Sequence, residues 1–167
     1  MDLLEGLYTR RSVRHFTDRP VEREDLTEII RAATWAPSGL NNQPWRFVII
    51  QSSEVRQTLA SLTHSRKIIE QAPACIAVFI DKTAMYDETK DHQTMGACIQ
   101  NMLLASHAMG LGAVWLGEIL KNAEKVRLLL DVPQHMELMA VVAIGHPASR
   151  DQKFRRKELD EVIIKNI

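Results

Sequence analysis

The sequence predicts a mixed α+β sandwich, a sheet covered by helices on both faces, and three observations carry that expectation. Phe47-Val48-Ile49-Ile50, Ala74 to Ile80 and Leu138 to Ile144 are short, nearly unbroken apolar runs, the pattern of strands that meet no water on either side. Segments with apolar residues at helical intervals alternate with them, most clearly from Asp91 to Met109. The chain of 167 residues, 46% hydrophobic and 25% charged, is long enough to bury a core around such a sheet without disulfide or metal staples. No repeat, low-complexity tract or Pro/Gly-rich linker divides it, so one domain over 1–167 is expected.

Each element has its own signal. Leu3, Leu4 and Leu7 begin a short amphipathic helix, and Leu26, Ile29, Ile30 and Ala33 repeat at helical spacing until Pro37 forces a stop. Two helices thus precede the first strand, Phe47 to Ile50. After the second strand, Met95, Cys98, Ile99, Met102 and Leu103 mark a long central helix, which Gly110 can end in the left-handed conformation. Ala113 to Leu116 reads as a strand, about Asn122 to Leu130 as a helix, and Leu138 to Ile144 as a last core strand closed by Gly145-His146-Pro147.

Composition narrows the function classes. The 21 basic residues balance 21 acidic ones, so no excess charge draws in nucleic acid or an anionic membrane. Cys75 and Cys98 sit in apolar segments outside any CxxC pattern, which fits buried, reduced thiols of a cytoplasmic protein. The start Met1-Asp2-Leu3-Leu4-Glu5 matches no signal or transit peptide, and no run reaches transmembrane length. The six histidines have no metal-binding spacing, so no metal is expected. No GxSxG elbow is present, and Gly110-Leu111-Gly112 lies between a helix and a strand, the reverse of a dinucleotide-binding turn.

Two segments carry chemistry. Arg10 to Phe16, RRSVRHF, concentrates three guanidinium groups and a hydroxyl after the first helix. Arginine offers a planar fork of donors to phosphate oxygens, although the same segment taken alone also reads as a solvated basic loop. Ala36 to Phe47, APSGLNNQPWRF, gathers Pro, Gly, Asn and Gln before a buried strand. Asn and Gln present a donor and an acceptor together, which suits the edge of an isoalloxazine or a similar heterocycle; turn-forming preference alone would explain the composition equally well.

Together and in this order, the two segments resemble the nitroreductase family of FMN-dependent oxidoreductases, through RRSxR after the first helix and Pro37, Ser38, Asn41, Gln43, Pro44, Trp45 and Phe47 before the first strand. CIQNMLLASHAMGLG, Cys98 to Gly112, resembles the family's central helix, AVWLGE its flavin-facing strand end, and RRKELDEV, Arg155 to Val162, its closing basic motif. The resemblance implies a mostly antiparallel sheet and a homodimer whose interface forms two FMN pockets. It implies that Arg10, Arg11 and Ser12 hold the phosphate and ribityl end and that Arg14 lies near flavin N1 and O2, where a fixed cation stabilises the reduced ring. Pro37, Ser38, Asn41 and Gln43 would reach the flavin from the partner subunit. Trp115, Leu116 and Gly117 would lie along the ring, with a main-chain N–H of Gly117 or Glu118 donating to N5; Trp115 also reads as a core aromatic. Arg156 is the implied phosphate ligand, with Arg155 the fallback, and Val162-Ile163-Ile164 the strand that crosses to the partner's sheet.

The implied activity passes electrons from NAD(P)H, a visiting substrate, to a small organic acceptor such as a nitroaromatic or quinone. The flavin carries the chemistry, Arg14 and Gly117 tune it, and no side chain is an indispensable acid, base or nucleophile. Reductive dehalogenation, flavin fragmentation and non-enzymatic FMN binding stand as alternatives. Leu40 stands where the family often has a second glycine, Glu158 where it often has proline, and only Asp81 to Lys90 is available for an insertion over the flavin.

Overall fold

A computed structural model describes residues 2–167. Its helices are α1 (Leu3–Thr9), α2 (Arg23–Ala33), α3 (Ser53–Ala60), α4 (Arg66–Gln71), α5 (Glu88–Ala108), α6 (Ala123–Leu129) and α7 (Leu159–Val162). The strands β1 (Trp45–Ile50), β2 (Ala74–Asp81), β3 (Gly112–Leu116) and β4 (Met136–Gly145) form one sheet in the order β1-β2-β4-β3. All three strand pairings are antiparallel.

The unbroken apolar strands are explained by two cores, one on each side of the sheet. In β2, Ile76, Val78 and Ile80 face a core shared with Leu26 and Ile29 of α2 and Met95, Cys98, Ile99 and Met102 of α5. Its alternate residues Cys75, Ala77 and Phe79 face a second core with Leu59 of α3, Ile69 of α4 and Val126 of α6. Leu26 and Ile29 are fully buried, which contributes about 1.5–3 kcal/mol per side chain. Burial also silences both thiols, pushing Cys75 and Cys98 up to about 12, as expected of inert core cysteines.

The expected elements are present with small shifts. β1 begins at Trp45 rather than Phe47, and α5 begins at Glu88, where the Asp87 side chain accepts from the Lys90 N–H at 2.9 Å. Gly110 follows α5 with φ of +78°, the left-handed stop anticipated for it. Two helices were not anticipated. α3 and α4 occupy the stretch between β1 and β2 and together bury only Leu59, Ala60 and Ile69, too few apolar positions to set a period.

The expected terminal strand is not formed within one chain. Val162 ends the short helix α7, and Ile163 and Ile164 belong to no strand of this chain. A strand exists through its ladder of hydrogen bonds to a neighbour, and within one chain this segment has none.

Candidate functional site

The RRSVR segment lies along the outer edge of β3. Ser12 forms a parallel bridge with Ala113, and the Val13 N–H donates to the Ala113 carbonyl at 3.1 Å. Gly112 makes this approach possible, because a Cβ there would lie 2.7 Å from Val13 side-chain atoms. Val13 and Phe16 are buried while Arg14 and His15 are exposed, so the apolar members anchor the loop and leave its cations at the surface.

The cations converge without counter-charges. Among the described residues, none of Arg10, Arg11, Arg14, Arg150, Arg155 and Arg156 forms an ion pair with a carboxylate. Burial, then the nearby charges of Arg156 and Arg11, pull Arg10 below the usual arginine value. Arg156, from the far end of the chain, lies 5.9 Å from the centre of the Phe154 ring, the ring that also meets Arg11. Arg11 is tied inward: its Nη1 donates to the carbonyls of Tyr8 and Arg10 at 2.8 and 2.7 Å, and its guanidinium stacks 3.3 Å from the Phe154 ring centre. Arg14 makes one long contact, 3.4 Å to the Ser12 carbonyl.

A cavity of about 220 Å3 beside this loop is lined by Thr9, Arg11, His107 and Arg150 among others. His107 Nε2 lies 2.9 Å from Thr9 Oγ1, and its Nδ1 lies 3.4 Å from Arg150 Nη1. Since Arg150 can only donate, this contact is a hydrogen bond when Nδ1 accepts, that is, when the ring is neutral with its proton on Nε2. Burial and then the positive charges of Arg150, Arg10 and Arg11 hold the His107 pKa below its usual value.

The end of β3 divides the expected flavin-facing residues. Alternation places Leu116, 5% exposed, in the core with Val114 and Ile119, so its side chain faces away and only its main chain is available. Trp115 points to the other face and is 42% exposed, against its reading as a core aromatic. It lines an apolar pocket of about 370 Å3 with Met95, Gly96, Ile99, Leu120 and Met139. A Cβ on Gly117 would meet only Trp115 Nε1, at 4.0 Å, leaving open space over that peptide. Neither the Gly117 nor the Glu118 N–H donates to another main-chain group among the described residues.

Glu118, whose side chain the sequence did not single out, anchors this strand end. Its Oε2 accepts from Thr63 Oγ1 at 2.7 Å and from the His64 N–H at 2.9 Å, and Lys121 Nζ lies 3.4 Å from Oε1. These donors, the Thr63 hydroxyl first, bring its pKa down to about 2. Asn122 Nδ2 adds a bond to the Leu62 carbonyl at 2.9 Å, so the turn after β3 is fastened to the α3–α4 connection twice.

The second predicted segment is a strained loop. Leu40, Asn41 and Gln43 have φ of +54°, +55° and +48°, where a non-glycine residue costs about 1–3 kcal/mol. The left-handed Leu40 gives a physical reason for the family's frequent glycine at this position. Pro37, Asn41 and Gln43 are exposed, and Ser38 is half-buried with its Oγ accepting from the Gln43 N–H at 3.3 Å. Asn42, adjacent to the expected Asn41, holds the loop: its Nδ2 donates to Asp91 Oδ1 at 2.6 Å and to the Ala84 carbonyl at 3.0 Å.

One chain does not bring the two segments together. RRSVR lies beside β3, and Thr9 just before it touches His107 at the C-terminal end of α5, whereas the Pro37–Gln43 loop precedes β1 and touches Asp91 near the start of α5. These are opposite edges of the sheet, three strand spacings or roughly 14 Å apart. The two contacts on α5 are separated by roughly 24 Å of helix at 1.5 Å per residue.

Fold and site therefore define an α+β protein with a cationic loop and an open main-chain edge at one side of an antiparallel sheet. The chain matches the sequence profile of the Nitroreductase family over residues 7–74 and 60–146, and it belongs to that family. A candidate nitroreductase of Desulfovibrio desulfuricans, crystallised in complex with FMN, is 42% identical with a TM-score of 0.94, over 100% of this chain and 98% of the other. A candidate NADH dehydrogenase/NAD(P)H nitroreductase of Archaeoglobus fulgidus is 34% identical over 91% of this chain and 88% of its own length. The NADPH:FMN oxidoreductase of Vibrio harveyi, crystallised with NAD+, is 28% identical with a TM-score of 0.88, over 98% of this chain and 76% of the other. No helix among the described residues is long and apolar enough to cross a membrane.

Proposed function

We propose that the protein is an FMN-dependent oxidoreductase that passes electrons from NAD(P)H to a small organic acceptor such as a nitroaromatic or quinone, and that it works as a homodimer. The observation that carries this reading is the convergence of Arg10, Arg11 and Arg156 with no carboxylate among them. Partly buried like charges repel one another, and a dianionic phosphate would offset that cost. The FMN complex of the Desulfovibrio relative and the NAD+ complex of the Vibrio enzyme support the same reading.

The residues present fit the group. Arg10, Arg156 and the Ser12 hydroxyl would hold the phosphate and ribityl end; Arg11 adds charge while it secures the loop. Arg14, with one weak contact of its own, is free to place its charge at the pyrimidine edge of the ring. The open peptide at Gly117 and Glu118 offers N–H donors beside Trp115, and Leu116 contributes main chain only. Bound FMN would supply the two-electron chemistry, accepting hydride from the nicotinamide and delivering electrons to the acceptor. The protein's part is to bind, to orient, and to place positive charge where negative charge develops.

The separation of the two halves supports a dimer. Pro37, Ser38, Asn41 and Gln43 are too far from the cationic loop of their own chain to share one flavin with it, so a second copy would supply them. Exposed Leu3, Trp35, Ile164 and Ile167 are the apolar surface such a partner would cover, with Ile163-Ile164 pairing on the partner's sheet. A cytoplasmic setting, which keeps Cys75 and Cys98 reduced, goes with this reading.

The test is the visible spectrum of freshly purified protein, identification of the released chromophore, and NAD(P)H consumption with a nitroaromatic. Yellow, dimeric protein that releases FMN and turns over is the expected result. A colourless monomer that ignores added FMN overturns the reading, and turnover with a halogenated phenol but no nitroaromatic would favour reductive dehalogenation.

A further inference from the structure

In the first turn of α5, Asp91 is fully buried and carries no ion pair among the described residues. Donors take the place of a counter-ion. Asn42 Nδ2 donates to Oδ1 at 2.6 Å, and the N–H groups of Tyr86 and Asp87 each donate to Oδ2 at 2.9 Å. Burying a carboxylate is unfavourable unless such bonds compensate it.

The donors come from the two segments that shape the Pro37–Gln43 loop. Asn42 belongs to the loop itself. The turn bearing Tyr86 sets that ring against Gly39, where a Cβ would lie 2.0 Å from the Tyr86 hydroxyl oxygen. Asp91 therefore fastens the loop directly through Asn42 and indirectly through Tyr86, while Leu40, Asn41 and Gln43 hold left-handed backbone that needs such external support. What the clamp presents is turned outward: Pro37, Asn41 and Gln43 are exposed, on the sheet edge opposite the chain's own cationic loop.

We infer that Asp91, acting through Asn42 and Tyr86, is a positioning residue for the FMN pocket of the partner subunit and not for the pocket built on its own Arg10. The inference rests on the dimeric flavin reading above. It requires a carboxylate at this position specifically, since an amide would turn an NH2 group against the Asn42 NH2 or against two main-chain N–H donors.

The experiment exploits the two-fold exchange of parts between copies. Asp91→Asn and Asn42→Ala are each purified as homodimers, alongside Arg10→Ala, which removes a ligand from the chain's own pocket. All three homodimers are expected to bind FMN at least about tenfold more weakly than wild type, the effect of one lost hydrogen bond or more. Mixed dimers of Asp91→Asn with Arg10→Ala, isolated by two different affinity tags, contain one pocket with both defects and one with neither. They are expected to bind one FMN per dimer with wild-type affinity, which a general loss of structure in the Asp91→Asn chain would not produce. The Asn42→Ala chain, paired the same way, decides the matter if Asp91→Asn does not fold. Wild-type FMN affinity in both clamp homodimers, or mixed dimers lacking the restored pocket, overturns the inference with the flavin reading intact. Wild-type protein that binds no FMN overturns both.

Discussion

Arg10→Met tests whether the cationic loop is kept for a ligand or for the fold. The substitution keeps an apolar stem and removes a partly buried charge flanked by Arg156 and Arg11. No carboxylate partner is lost with it, so the flavin-free protein should melt no lower than wild type. Loss of one charge-assisted bond to phosphate, about 1.5–3 kcal/mol, weakens FMN binding roughly 10- to 150-fold. At an FMN concentration of 100 times the wild-type Kd, ligand linkage stabilises wild type by about 2.7 kcal/mol and the variant by about 0.3–1.4 kcal/mol. For a chain of this length, about 2–4 °C per kcal/mol, the FMN-induced rise in Tm falls from roughly 5–11 °C to half that or less. Melting curves with and without FMN measure both quantities. An unchanged FMN shift would remove Arg10 from the phosphate site, and a flavin-free variant melting several degrees below wild type would show that Arg10 serves the fold.

Acid should uncouple the turn after β3. Glu118 is held down at about 2 from a usual 4.5, so its contribution is complete above the higher value and is lost as pH falls toward the lower one. Between those limits the Tm of wild type should fall more steeply than that of Glu118→Gln, and parallel curves would refute the clamp. Leu40→Gly should relieve the left-handed strain at a side chain that is 85% exposed. The left-handed cost of about 1–2 kcal/mol is partly offset by about 0.5–1 kcal/mol of glycine entropy, so thermal melting should show a gain of at most about 1.5 kcal/mol. A fall in Tm would mean that Leu40 packs against something outside its own chain.

The sequence by itself determined the strands, the long central helix and the location of the two chemical segments. These depend on local pattern: apolar runs, helical periodicity, a helix-stopping Gly110, and three arginines within five residues. The resemblance around Leu159 also singled out Arg156, which lies beside Phe154, the ring that Arg11 stacks on. α3 and α4 escaped because so few of their residues are buried.

Only the tertiary structure decided which residues meet. Asn42 rather than Asn41 fastens the polar loop, because the donor that reaches Asp91 depends on contacts 49 positions apart in the chain. Leu116 turns inward because pleating and two-sided packing assign alternate residues of β3 to different faces. Arg11 is turned back onto the nearby Tyr8 carbonyl and onto Phe154, a contact that spans almost the whole chain. The cationic and polar segments are neighbours in sequence yet lie on opposite edges of the sheet, because strand order is set by long-range pairing and not by position along the chain.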